Sequence, residues 1–240
     1  MLNKSSHLPQ IYCALDTTDR TFIDRIIRDV GPLGLGVKLG LTFLGVHGAQ
    51  GIKEIKNAYP GLSIFLDAKL HDIPAQVAGA VTSYASLDVD FITLHAQGGE
   101  EMMRQAQEAA EASSHVPTLL AVTILTALDD DNIRATGYEK PVAQIVPKLA
   151  ALAQQSNVPG IVCSPLEIAS IREKLGNDLT LMVPGIRPAS HATKTPDDQK
   201  RVLTPKEAID YGANHLVIGR PITQAETPAQ AARDILEEIN

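Results

Sequence analysis

The sequence is poor in the features that mark several protein classes. It has only two cysteines, Cys13 and Cys163, far apart and each inside an apolar run. That excludes a disulfide framework and every Cys-x-x-Cys or zinc-ligand spacing, and it reads as two buried free thiols in a reducing compartment. No apolar run approaches the ~18–20 residues needed to cross a bilayer. The opening segment, MLNKSSHLPQ, lacks the apolar core of a signal peptide. A cytoplasmic protein without a membrane span is therefore expected. Positive charge is also short: 21 Lys and Arg stand against 28 Asp and Glu, a net charge of −7. Such a chain is a poor general partner for nucleic acid, whose phosphates attract Lys/Arg surfaces. It can still hold a small anion if a few cations converge in one pocket. No Gly/Ser-rich linker, sharp change of composition or fixed-period repeat divides the chain, so residues 1–240 are expected to form a single domain.

What the sequence has is a rhythm. Short, nearly continuous apolar runs occur at Ile11–Asp16, Gly36–Leu39, Ser63–Lys69, Phe91–His95, Thr118–Leu125, Gly160–Ser164, Leu179–Pro184 and His215–Gly219. Strands covered on both faces look like this. Between them lie amphipathic stretches at Thr18–Val30, Pro74–Leu87, Glu100–Ser113, Val142–Gln155, Leu166–Leu175, Lys206–Tyr211 and Pro228–Ile239. Thr204-Pro205 and Thr227-Pro228 each set a capping hydroxyl before an N1 proline. Strand–helix alternation implies a parallel sheet, and eight strands in 240 residues favour closure into a (β/α)8 (TIM) barrel of the α/β class. Two longer polar segments, 127–140 and 187–204, follow the fifth and seventh strands, where barrels carry ligand contacts and lids.

The strand ends carry charge. The first ends at Asp16, the second contains Lys38, the third runs into DAKLHDIP with Asp67, Lys69 and Asp72, the fourth ends at His95 and the eighth at Gly219-Arg220. Asp67 and Lys69 are two apart, so a regular strand places them on one face, with Lys38 one strand away. At ~4 Å one such pair is worth about 4 kcal/mol at an effective dielectric of 20. An alternating array of this kind suits a reaction that expels an anion and then protonates a carbanion. A purely structural ion-pair network is the alternative, although desolvation makes such networks a poor source of stability.

DAKLHDIP resembles the D-x-K-x-x-D-I-x-x-T signature of the orotidine 5'-phosphate decarboxylase family. Asp16 in YCALD, Lys38 in VKLG, Thr126 in VTILT, PGIRP at Pro184–Pro188, Gln199 and IGRPIT at Ile218–Thr223 match further family motifs in the same order, so the resemblance covers essentially the whole chain. The D-x-K-x-x-D core is shared with related sugar-phosphate decarboxylases; its combination with PGIRP and a terminal GRPI is far more specific. The chain departs at Gln76, where the family has threonine. The segment from Arg187 to Gln199 is longer than in some relatives.

The resemblance implies a carboxy-lyase that converts orotidine 5'-monophosphate to UMP and CO2, the last step of de novo pyrimidine nucleotide synthesis, with neither cofactor nor metal. It implies that Lys69 protonates C6, that Asp67 and Asp72 hold Lys69 and crowd the leaving carboxylate, and that Lys38 completes the network and touches the ribose. Asp16 takes a ribose hydroxyl and Thr126 the pyrimidine. Arg187, Gln199, Gly219 and Arg220 take the phosphate, where a short helix start would also face the anion. Asp72 and Gln76 reach the substrate from the second subunit, which makes a homodimer part of the expectation, and Ile73 is a further substrate contact.

Other signals are weaker. His71, Asp72 and His95 could form a metal site, but two histidines with no third ligand at a known spacing make a weak signal, and His95 reads better as a packed, hydrogen-bonded residue. Gly34-Leu35-Gly36 fails as a dinucleotide fingerprint because position 39 is Leu39. Asp129–Asp131 reads as a solvated loop and helix cap, and Phe43 and Leu44 as core or dimer contact. The rival readings are a magnesium-dependent sugar-phosphate decarboxylase or aldolase on the same barrel and a non-catalytic nucleotide-binding barrel.

Overall fold

A computed structural model describes residues 8–188 and 203–239. Eight parallel strands close a barrel in sequence order: β1 (Ile11–Ala14), β2 (Gly36–Leu39), β3 (Ile64–Leu70), β4 (Phe91–His95), β5 (Thr118–Val122), β6 (Gly160–Val162), β7 (Thr180–Val183) and β8 (His215–Ile218), with β8 pairing back on β1. Helices α1 (Arg20–Val30), α2 (Leu41–Ala58), α3 (Pro74–Ala85), α4 (Glu100–Glu111), α5 (Asp130–Ala135), α6 (Val142–Gln155), α7 (Ile168–Leu175), α8 (Pro205–Asp210), α9 (Arg220–Thr223) and α10 (Pro228–Ile239) fill the connections and follow β8. The (β/α)8 barrel is the fold expected of the sequence. No described helix is long and apolar enough to cross a membrane.

Strand parity divides the core in two. One set of strand residues packs outward against the helices, with Ile11, Cys13, Val37, Leu66, Ile92 and Leu119 among them. The alternate set fills the lumen, where Tyr12, Phe65, Phe91, Leu120, Met182 and Val217 form a separate cluster. This is why the strands read as unbroken apolar runs. The rings of Tyr12, Phe65 and Phe91 meet edge to face at centroid distances of 5.5–6.1 Å. Gly36 makes room for them: a Cβ there would lie 2.4 Å from Tyr12 Cε1. Below, His215 Nδ1 donates to the carbonyl of Pro9 at 2.7 Å. The barrel is thus plugged at its N-terminal end. Two residues further along β2, β3 and β4 the lumen turns polar: Gly36 is followed by Lys38, Phe65 by Asp67 and Phe91 by Thr93.

Two elements differ from the sequence reading. The stretch after β2 carried no helical expectation, yet α2 is the longest helix described. Its glycines dilute the periodic signal, and Gly48 (φ +53°, ψ −154°) breaks it into two helical pieces. Phe43, assigned to core or dimer contact, is fully buried. The polar segment 127–140 contains α5, opened by a capping box between Asp129 and Asn132. The next carboxylate, Asp130, accepts from the Val142 N–H at 2.8 Å and so ties down the start of α6. Both cysteines are buried free thiols, and burial pushes the Cys13 thiol up to about 12.

Candidate active site

The polar end of the lumen is built from neighbouring strands. Lys38 rises from β2, and its Nζ lies 2.7 Å from Oδ1 of Asp16, just past the end of β1. The same ammonium is 3.5 Å from Asp67 Oδ2 on β3. Lys69 Nζ donates to that oxygen at 2.6 Å. The order Asp16–Lys38–Asp67–Lys69 alternates in charge across the mouth. Gly40 allows the close approach: a Cβ there would sit 3.1 Å from Asp16 Oδ1 and 3.3 Å from Lys38 Nζ.

Regular alternation is not what joins Asp67 to Lys69. The register of β3 on β4 shifts between Leu66, opposite Ile92, and Leu70, opposite Leu94. Lys69 lies in this bulge in a left-handed conformation, φ +48°, at a cost of about 1–2 kcal/mol for a non-glycine residue. The bulge re-aims its side chain over the lumen. Lys69 thus sits on strained backbone beside a buried carboxylate, an arrangement met at functional sites.

Asp67 is 8% exposed. Burial alone would raise its pKa, but the charges of Lys38 and Lys69, with hydrogen bonds from Lys69 and Thr93, hold it below the usual carboxylate value. His95 is shifted down chiefly by burial; His71 and Lys69 push the same way, against a Gln97 hydrogen bond and the Asp67 charge. The His71 and His95 rings stack loosely at 5.5 Å. No group of three or more His, Cys, Asp or Glu side chains forms a metal-type cluster among the described residues.

These shifts set a pH dependence of stability. His95 and, through burial, His215 are both held below their ordinary value of 6.5. Each stays neutral in the fold and takes a proton more readily once unfolded, so stability is lost as pH drops below that value. Asp67 acts in another range: its contribution is present above the ordinary 3.8 and is lost only as pH falls further, through its lowered value. The melting temperature is expected to fall between about pH 7 and 5, and His215→Gln to flatten that slope. Equal slopes in the two proteins, followed by calorimetry, would contradict the assignment.

Of the residues singled out from the sequence, Asp16, Lys38, Asp67, Lys69, Thr126, Arg187, Gly219 and Arg220 line one cavity of about 750 Å³ at the C-terminal mouth. Its apolar floor includes Phe65, Val122, Val162 and Val217. The guanidinium of Arg187 donates to the Ile186 carbonyl at 3.1 Å. Asp72, Ile73 and Gln76 lie apart, exposed at the start of α3. Asp72 accepts from the Ile73 N–H at 2.6 Å, and no ion pair joins it to Lys69 within one chain. Gln199 falls outside the described residues. The sequence reading missed Gly40 and Thr93. Thr93 had a faint signal, as a polar residue inside the apolar run FITLH that must find a partner if buried.

Residues 9–235 match the family model described as Orotidine 5'-phosphate decarboxylase / HUMPS family. The chain belongs to that family. Among curated members it is 43% identical over 232 residues to the orotidine 5'-phosphate decarboxylase of Idiomarina loihiensis, covering 97% of this chain and 98% of the relative. It is 44% identical over 238 residues to the enzyme of the same name from Rhodospirillum rubrum, covering 95% and 93%. The crystal structure of orotidine 5'-phosphate decarboxylase from Lactobacillus acidophilus superposes with a TM-score of 0.85 at 37% identity, covering 97% of this chain and 99% of that one. The family's barrel and the barrel described above are the same fold.

Proposed function

We propose that this protein is a cytoplasmic, cofactor-independent decarboxylase that converts orotidine 5'-monophosphate to UMP and CO2. The observation that carries the reading is the Asp16–Lys38–Asp67–Lys69 array at one side of a cavity that also holds Arg187 and Arg220. A nucleotide needs cations for its phosphate and, here, an ammonium beside the base. The decarboxylase names of the relatives support the choice of substrate.

In this reading the phosphate sits against Arg187, Gly219 and Arg220, with Gln199 as a further contact. Asp16 and Lys38 hold the ribose, and Thr126 bonds the pyrimidine. The C6–carboxylate bond breaks, CO2 departs and the electron pair stays on C6. Lys69 stabilises that charge and transfers a proton from Nζ to C6, then regains one from solvent. Asp67 holds Lys69 from within the chain. The partner's Asp72 would add a second carboxylate at the point where CO2 leaves, with Ile73 and Gln76 beside it, so the working unit is a homodimer. Leu41 and Val46 on α2 and Ile73 just before α3 are more than half exposed in one chain, as a surface awaiting a second copy would be.

The test is direct. Purified protein with orotidine 5'-monophosphate should lower the pyrimidine absorbance and release UMP, undiminished by a chelator. Strict magnesium dependence would favour a sugar-phosphate enzyme instead, and an unchanged spectrum would sink the reading.

Arg220→Ala provides a second check. Binding energy from a remote phosphate can be used at the reacting carbon. The variant is expected to lose about 100-fold in kcat/KM, with kcat reduced as well as KM raised. A change confined to KM would show that the phosphate only anchors the substrate.

A further inference from the structure

We infer that Thr93 is a positioning residue for the proton donor, tying the backbone of Lys69 to the carboxylate that holds its ammonium. This rests on the decarboxylase reading above. Thr93 lies in the middle of β4, fully buried, where its neighbours Ile92 and Leu94 are apolar and pack outward. Its hydroxyl donates to Asp67 Oδ1 at 3.0 Å and accepts from the Lys69 N–H at 2.9 Å. Both capacities of the hydroxyl are used, and both go to β3.

The location explains the need. Between the rungs Leu66–Ile92 and Leu70–Leu94, three residues of β3 face only Thr93 on β4. A main-chain ladder cannot serve that stretch, so a side chain takes the Lys69 N–H. Lys69 is held in this way at φ +48°, a conformation a lysine leaves readily if nothing fixes it. At the other end, Thr93 occupies Oδ1 of Asp67, while Oδ2 faces both Lys69, at 2.6 Å, and Lys38, at 3.5 Å. With Oδ1 engaged, the carboxylate cannot rotate to share its oxygens differently between the two ammonium groups. One hydroxyl therefore fixes where the Lys69 chain starts and where its Nζ ends. Proton delivery to a carbon is sensitive to such placement, since misplacement of about 1 Å can cost 10²-fold.

Two variants separate this role from packing. Thr93→Val keeps the shape and removes the hydroxyl; Thr93→Ser keeps the hydroxyl and removes a methyl group. The expected result is a fall in kcat of roughly 10- to 100-fold for Thr93→Val, with KM for orotidine 5'-monophosphate and affinity for UMP unchanged. Thr93→Ser should restore most of the wild-type kcat despite a lower melting temperature. Wild-type kcat in Thr93→Val, equal losses in the two variants, or a loss confined to KM would each overturn the inference while leaving the decarboxylase reading intact. A wild-type protein with no turnover would overturn that reading and this role with it.

Discussion

Lys69→Met is expected to lower kcat for orotidine 5'-monophosphate by about 10⁵-fold, the combined loss of a positioned proton donor and of charge stabilisation at C6. Methionine follows the lysine chain out to Cε, with sulfur in place of one methylene, and lacks the ammonium. The fold should survive, because Asp67 keeps two of its partners: Lys38 at 3.5 Å and the Thr93 hydroxyl at 3.0 Å. UMP affinity should change little, since the phosphate is assigned to Arg187 and Arg220 on another part of the cavity wall. Single-turnover measurements on the variant, alongside UMP titration, check both halves. Retention of activity within tenfold would remove Lys69 from the chemistry.

Asp72→Ala alone should be nearly inactive, yet mixing it with a Lys69→Ala chain should bring activity back. Within one chain Asp72 is exposed and accepts a hydrogen bond from its own neighbour, Ile73. If it serves the site of a second copy, a mixed dimer has one site with both changes and one site with neither. Random pairing of equal amounts then restores about a quarter of the wild-type activity, as two-fold symmetry requires. Each parent alone stays inactive, so the gain is large against background. Co-refolding or co-expression with two affinity tags isolates the mixed species. Absence of any recovery in the isolated mixed dimer would place Asp72 outside the partner's site.

The strands were legible because barrel strands are covered on both sides: Ile11–Ala14 or His215–Ile218 need no alternation to be recognised. Helices with a clear apolar face were equally visible, whereas α2 was hidden by three glycines, one of which interrupts it at Gly48. The approach of Asp67 to Lys69 was anticipated from strand periodicity. The structure shows the contact at 2.6 Å but produces it through a bulge and a left-handed residue, which periodicity does not predict. Thr93 gave only a faint signal for the same reason: its two bonds to β3 exist only where that bulge does. Asp72, Ile73 and Gln76 mark the other limit: in the proposed dimer they would face a second chain, and a signature within one chain does not tell what they meet there.

A crystal structure with UMP bound would show whether Lys69 meets the pyrimidine. The nucleotide is expected in the cavity at the barrel mouth, its phosphate against Arg187 and Arg220, and Lys69 Nζ within about 3.5 Å of C6. A nucleotide bound elsewhere, or a Lys69 side chain turned away from the pyrimidine, would contradict this expectation.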